Sequence, residues 1–309
     1  MDLRDFSYIN SIAKYQSITK AAEALYITQP TLSKFLINLE KELGQPLFKR
    51  IGRRYIPTYA GERYIEAGTR ILVIKNELDA ELSDILKKNI GVLNVGFPTM
   101  RLSYFLPYVL PKFKSLYPNV KVNIFEGFSS RLDTLILNGE IDISFSTMPQ
   151  TKHPQLTYET LGTEEILICV PKGHPIRRFA VSTDASSHPS LDPKYLQDEQ
   201  LLCLMKGQRT RETTDSFLKA RKLDFKNVMY FSNIRAIVNL VAMGYGITFM
   251  FEPHILQTNL LDSIDLYHVL PESLTYDFVV ARREGSYVPQ YMRDFINLAR
   301  EAETTQHLR

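Results

Sequence analysis

Gln29, Pro30, Thr31, Ser33, Lys34 and Asn38 crowd amides, hydroxyls and a cation into one short stretch, and Lys49, Arg50, Arg53 and Arg54 follow close behind. Groups of the first kind hydrogen-bond base edges and phosphates. Clustered Arg and Lys at a loop tip suit phosphate or minor-groove contact. Signs of catalysis are lacking. The histidines (His153, His174, His188, His254, His268 and His307) are scattered without HExxH or other metal-ligand spacing. The sequence has no GxSxG elbow, no Walker loop and no GxGxxG. The chain is therefore expected to be no enzyme and to carry no cofactor and no metal.

The elements that would position the polar stretch read as two short helices and a hairpin. Thr19 is expected to cap a helix through Leu25, because its hydroxyl accepts from free first-turn amides. Ala21, Ala22 and Ala24 favour helix and let a second helix cross nearby. Tyr26 and Ile27 form the turn, Thr28 caps the next helix, and Pro30 fits its first turn. Leu32, Leu36, Leu39 and Leu43, with Phe35, recur at helical spacing as a buried face, and Gly44 stops the helix. Gly52, between two short apolar runs, predicts a hairpin with the arginines at its tip. Helix, turn, helix and basic wing together predict a winged helix-turn-helix.

This stretch resembles the N-terminal domain of LysR-type transcriptional regulators. The residues that carry the likeness are Ser17, Ala21, Ala22, Leu25, Gln29, Pro30, Ser33, Leu39, Glu40, Leu43, Gly44, Leu47, Phe48, Arg50, Arg53, Thr58, Ala60 and Gly61. The resemblance implies that the helix bearing Gln29, Pro30, Thr31, Ser33 and Lys34 reads the major groove, while the wing touches backbone or minor groove. Lys34 departs from the arginine that many relatives carry. An ammonium is a point charge rather than a bidentate fork, which favours a phosphate contact there. Pro57, where leucine is usual, is expected to end a wing strand.

Composition is ordinary for a globular protein. The chain has 309 residues, 44% hydrophobic and 23% charged, enough for two or three domains. No apolar run reaches bilayer length, and the N-terminus reads as an amphipathic helix with Leu3, Phe6, Ile9, Ile12 and Ala13 on one side. The expected location is the cytoplasm, at the bacterial nucleoid and away from membranes. Residues 1–65 carry ten Lys/Arg against six Asp/Glu, whereas the rest carry 27 against 28, so the basic surplus sits on the part expected to meet phosphates. Cys169 and Cys203 lie in apolar strand-like runs, which reads as buried inert thiols. A redox switch through Cys203 is the alternative, and it would need an exposed thiol of low pKa.

Three regions follow from the pattern along the chain: a winged helix-turn-helix over 1–60, a long linker helix over 58–88, and an α/β domain over 91–309. In the linker helix Tyr64, Ile71, Leu78 and Ile85 recur every seven residues, with Ala67, Ile74 and Leu82 between, an approximate heptad seam about 45 Å long, closed by Asn89 and Gly91. From Gly91 strands and helices alternate: strand Val92–Phe97, helix Leu102–Leu116, strand Val120–Phe125, helix Arg131–Asn138, strand Ile141–Ser146. A second α/β unit is expected from Glu165. It holds a helix Glu212–Arg221, a strand Val228–Phe231, a helix Ile234–Met243 and a strand Ile247–Phe251. The chain then returns through strand Tyr276–Ala281 and helix Pro289–Ala299. Two crossovers imply a hinged cleft between subdomain I (about 91–163 and 268–300) and subdomain II (about 164–267). The phrases EGFSSRLDTLILNGEIDISF and LVAMGYGITFM resemble the effector-binding part of the same family, which is built like periplasmic solute-binding proteins. Residues 177–195 are expected to form a polar surface loop.

In open α/β units ligands bind beyond the carboxyl ends of strands, where helix N-termini present amides. Pro98, Thr99, Met100, Arg101, Ser129, Ser130, Ser146 and Thr147 fit that description in the first unit. Gln208, Arg209, Thr210, Arg211, Ser232 and Asn233 fit it in the second. Arg101, Arg209 or Arg211 beside helix N-termini would favour a small carboxylate. The resemblance implies a homodimer through the linker helix, a tetramer through the C-terminal domains, an interrupted palindrome of double-stranded DNA, and contact with the transcription machinery. The sequence also leaves open a solute-binding or enzymatic α/β protein whose N-terminal helices serve protein contacts.

Overall fold

The computed structural model describes residues 2–86, 89–182 and 187–306. The chain forms two compact units, Met1–Lys88 and Asn89–Arg309.

The first unit holds α1 (Leu3–Tyr15), α2 (Ile18–Ala24), α3 (Gln29–Leu43), the hairpin β1 (Phe48–Ile51) and β2 (Arg54–Pro57), and α4 (Tyr59–Ile85). Ser17, not Thr19, caps α2. Ser17 is extended and accepts from the Lys20 amide, so the helix starts one residue before Thr19. Thr28 caps α3 with Pro30 in the first turn, and Gly44 ends it at φ +66°, the left-handed conformation that favours glycine. Leu32, Leu36 and Leu39 are buried with Ile9, Ile12, Ala21 and Ala22. Leu43 is exposed, a correction to the expected apolar face, because Leu47 and Phe48 fold back to finish the core. The Glu40 carboxylate accepts the Leu47 and Phe48 amides at 2.7 and 3.0 Å, which ties the start of the wing to α3. Ile51 pairs with Arg54, leaving Gly52 (φ +61°) and Arg53 as a two-residue turn.

Two glycines bring α4 against this core. A Cβ on Gly61 would sit 1.9 Å from the Leu47 carbonyl oxygen, and one on Gly68 would sit 2.5 Å from the Phe6 ring. That close approach draws Tyr64 onto Phe6, their rings 5.3 Å apart, so this member of the expected seam packs inside its own unit. Beyond it Ile74, Leu78, Leu82 and Ile85 stay exposed along the helix. The helix stops at Ile85, earlier than expected, and Gly91 opens the next strand. Residues 87 and 88 of the expected linker lie outside the described residues.

The second unit contains β3 (Gly91–Phe97), α5 (Thr99–Leu116), β4 (Val120–Glu126), α6 (Ser129–Leu137), β5 (Ile143–Thr147), β6 (Leu156–Pro171), β7 (Ser190–Leu191), β8 (Gln200–Leu204), α7 (Arg209–Ala220), β9 (Asn227–Phe231), α8 (Ile234–Ala242), β10 (Thr248–Phe251), α9 (Glu252–Leu256), β11 (Ile264–Val269), β12 (Leu274–Arg283) and α10 (Gln290–Gln306). One sheet runs β4-β3-β5-β12-β6-β11-β7, with β10 also on β6. β3 lies parallel to both β4 and β5, and β12 returns antiparallel between β5 and β6. β8 and β9 pair in parallel, and Leu201 bridges to Ile247.

β6 is longer than expected. It starts at Leu156, passes through Glu165 where the second α/β unit is expected to begin, and runs unbroken from the core of Phe97, Phe105, Phe145 and Phe295 into the core of Ile166, Ile168, Phe249 and Phe251. β12 pairs antiparallel along it from Leu274 to Arg283, and the register between them slips at Phe278/Val279 opposite Gly162. The expected 177–195 loop is partly structured. Leu191 is fully buried in β7, while residues 183–186 lie outside the described residues.

Candidate nucleic-acid interface and ligand cleft

On α3 the side opposite Leu32, Leu36 and Leu39 carries the polar residues. Gln29, Pro30, Thr31, Lys34 and Asn38 are exposed and Ser33 is half-buried. The Thr31 hydroxyl is 2.8 Å from that of Thr28, so the cap also fixes this side chain. Arg50, Arg53 and Arg54 are exposed on the wing, where the Arg50 guanidinium donates to the Gly52 carbonyl at 3.1 Å. Among the described residues, Lys34, Arg53 and Arg54 have no carboxylate partner. Exposed, unpaired cations of this kind are available to phosphates.

In the second unit β4, β3 and β5 lie side by side and parallel, so Glu126, Phe97 and Thr147 end at one edge. The helices that follow β3 and β4 begin earlier than expected, α5 at Thr99 and α6 at Ser129, and so does α7, which follows β8 and starts at Arg209. The reason is local. Their N-caps are Pro98, Phe128 and Gln208, none of which makes a side-chain capping bond, so sequence signals for caps point one turn too far along. By contrast α1 to α4 and α8 are capped by Asp2, Ser17, Thr28, Thr58 and Asn233. First-turn amides at three helices are thus left without a side-chain acceptor.

Buried hydroxyls lie at these helix starts and at the end of β5, on Ser129, Ser146, Thr147 and Thr210, and the hydroxyl of Ser144, near the beginning of β5, has no partner. The starts of α6 and α7 meet. The Ser130 amide and hydroxyl both donate to the Gly207 carbonyl, at 3.4 and 3.2 Å. Gln150 donates to the Glu212 carbonyl and accepts from Ser216. Thr99 is exposed, with Pro98 and Met100 half-buried. Gln208 donates to the Ser232 carbonyl, and Asn233 serves as the α8 cap.

The arginines offered as anion ligands require correction. Arg101 is buried, its guanidinium donating to one Glu164 carboxylate oxygen at 2.7 Å and ion-paired with the other at 2.7 Å, with Glu303 at 4.0 Å, and it lies 3.8 Å over the Phe278 ring. Burial works against its charge, and the Glu164 carboxylate more than offsets that, so its pKa rises. Arg209 is held by Asp133 and Glu212 at 2.8 Å each. Arg211 is held by Asp215, by the Leu204 carbonyl and over Tyr230. All three are engaged by groups of the chain itself. Sequence reasoning missed Glu164 and Asp133; an acid inside the apolar strand GTEEILICV was a usable signal, since a buried carboxylate demands a cation.

Around this ion pair, burial raises the Tyr104 hydroxyl well above its usual range. Burial and the nearby Arg101 charge push His254 down to about 3, so its imidazole is neutral at physiological pH. Cys169 and Cys203 are free and buried, and burial raises their thiols to about 12 and about 11. Among the described residues no three His, Cys, Asp or Glu side chains are grouped to hold a metal ion. No helix among them is long and apolar enough to cross a membrane.

Residues 3–62 match the family model for bacterial regulatory helix-turn-helix proteins of the lysR family, and residues 87–304 match the model for the LysR substrate binding domain. The chain is 28% identical over 312 residues to the uncharacterized HTH-type transcriptional regulator YcgK of Bacillus subtilis (strain 168), covering 98% of this chain and 95% of that one. A full-length cysteine variant of OxyR from Pseudomonas aeruginosa shares the fold with a TM-score of 0.73 at 22% identity, covering 98% and 94% of the two chains. Full-length CbnR, solved in complex with its target DNA, aligns with a TM-score of 0.63 at 18% identity, covering 98% and 100%.

Proposed function

The chain belongs to the LysR family of transcriptional regulators, and from that premise we propose how its parts divide the work. α3 enters the major groove of double-stranded DNA with Gln29, Pro30, Thr31, Ser33, Lys34 and Asn38, and the wing places Arg50, Arg53 and Arg54 on the flanking phosphates or minor groove. The exposed, unpaired state of Lys34, Arg53 and Arg54 is the observation that carries this reading. Two subunits pair through the exposed Ile74, Leu78, Leu82 and Ile85 stripe of α4 and present their reading helices to an interrupted palindrome. Further pairing of C-terminal domains gives a tetramer that acts on the transcription machinery in the cytoplasm.

The effector is a small anion, possessing a carboxylate, held where α5, α6 and α7 begin. Three helix starts without side-chain caps, together with the buried hydroxyls of Ser129, Ser146, Thr147 and Thr210, support this class. The positive potential comes from backbone amides, because Arg101, Arg209 and Arg211 are already paired. Closing the cleft shifts the spacing of the DNA-reading helices and so alters promoter output. A redox switch through Cys203 is disfavoured by its burial, which suppresses the reactive thiolate. The reading in which the N-terminal helices serve protein contacts is disfavoured by the helix-turn-helix match.

Selection of genomic fragments by the purified protein at near-physiological salt tests the DNA half. Enrichment of an interrupted palindrome supports it, and a folded dimer that enriches nothing overturns it. Thermal-shift screening of small carboxylates against uncharged analogues tests the effector half. Stabilisation by uncharged analogues alone would refute the anion class.

A further inference from the structure

We propose that Ile37 is a base-reading residue, and that what it reads is the C5-methyl group of thymine in the major groove. The inference rests on the reading that α3 enters that groove.

Leu32, Leu36 and Leu39 fix the buried side of α3. Directly opposite, Pro30, Lys34, Ile37 and Lys41 follow one another at helical steps of four, three and four residues, forming the outermost line of the helix. Ile37 is 61% exposed there. It is one turn from Lys34, so a groove entered by this line of the helix faces both side chains.

A branched aliphatic residue between two exposed ammoniums, with Asn38 beside it, is poorly suited to an apolar protein surface. Docking such a surface on Ile37 would strip water from Lys34 and Lys41 without compensation. A duplex satisfies both kinds of side chain at once. Its phosphates take the ammoniums, and the edges of the major groove offer one apolar group, the thymine methyl. Isoleucine is also stiff at its first torsion, so its methyls present a defined shape rather than a mobile one.

The experiment begins with selection of sites from random duplexes by the full-length protein and by its Ile37→Ala variant. Each thymine of the best wild-type site is then replaced singly by uracil, which removes only the methyl. At one thymine per half-site, uracil is expected to lower wild-type affinity about three- to tenfold, the scale of one buried apolar carbon. Ile37→Ala should bind thymine and uracil forms equally, near the wild-type affinity for uracil, while Ile37→Val keeps the preference. Because Ile37 is exposed, the variants keep the wild-type melting temperature, which is measured alongside. Wild-type binding that ignores uracil at every position, or Ile37→Ala that retains full thymine preference, overturns the role of Ile37 while leaving groove reading intact. A wild-type selection that enriches no sequence overturns groove reading itself, and the inference with it.

Discussion

Lys34 and Arg53 in the first unit and Arg101 and Arg209 in the second are all cations at sites marked by the sequence, yet they are used in opposite ways. The first pair stands in water without carboxylates. The second pair is buried and gripped by Glu164, Asp133 and Glu212. An exposed cation contributes little to folding and remains free for a partner that brings negative charge. A buried one is committed, because removing its counter-charge would leave an ion in a medium that solvates it poorly. Charge type alone therefore does not identify a ligand contact; burial decides whether an arginine recognises a partner or holds the fold. Arg101 joins α5, β6 and α10 through Glu164 and Glu303, and lies over the ring of Phe278 at the register slip between β6 and β12.

The largest effect separating the two regions is expected from Arg101→Met. It strands Glu164 in the core and should cost about 3–5 kcal/mol of stability in denaturant titration. The double variant Arg101→Met/Glu164→Leu should recover most of that loss, since replacing a whole buried pair by apolar groups is often close to neutral. A single variant as stable as wild type would break the contrast between committed and free cations.

Next comes the pH dependence of the same neighbourhood. His254 titrates near 6.5 when unfolded and at about 3 when folded. Between those values the unfolded chain binds a proton that the folded chain refuses, so stability falls as pH drops through the window. One such group contributes up to about 1.4 kcal/mol per pH unit. Stability measured from pH 7 to pH 3 should fall less steeply in His254→Asn than in wild type. Equal slopes would mean that the folded protein protonates His254 readily.

How much of this was legible in the sequence also divides between the two regions. The helix-turn-helix could be read almost residue by residue, because its signals are local: Thr28 as cap, Pro30 in the first turn, Gly44 and Gly52 at positive φ. Thr19 misled only because Ser17, two residues earlier, offers the same hydroxyl. In the second unit most of the alternation of strands and helices was visible in the apolar runs, but β7, α9 and β11 were not anticipated. Nor were the starts of α5, α6 and α7, since Pro98, Phe128 and Gln208 announce no cap. The partners of the arginines were out of reach for another reason. Arg101 and Glu164 lie 63 residues apart, and Asp133 and Arg209 lie 76 apart, so only the folded sheet brings them together. Of the expected seam, Ile74, Leu78, Leu82 and Ile85 stay exposed, whereas Tyr64 was drawn into its own unit by a close approach that Gly61 and Gly68 permit.

A smaller effect on folding is expected at the cap of α3. Thr28→Ala removes the acceptor for the Thr31 amide and the partner of its hydroxyl. Loss of such a cap costs about 1 kcal/mol, readable as a lowered midpoint in denaturant titration. The same change frees the Thr31 side chain and should relax discrimination between cognate and random DNA; if discrimination is kept while stability drops, Thr31 is a capping partner and no base reader.

The smallest change in stability, and the sharpest form of the comparison, is expected from Arg53→Ala. Arg53 sits exposed in the two-residue turn of the wing with no carboxylate beside it, so its loss should leave stability within about 0.5 kcal/mol of wild type. DNA binding should nevertheless weaken to a similar extent on cognate and random sequences, and the slope of log affinity against log salt should flatten by about 1, as one phosphate contact is lost. The three readings are separable. A loss confined to the cognate site would make Arg53 a base reader, an unchanged salt slope would remove it from the interface, and a fall in melting temperature would show that it supports the hairpin. Only weakened, sequence-blind binding by an undiminished fold leaves Arg53 as a cation held free for phosphate, the opposite of Arg101.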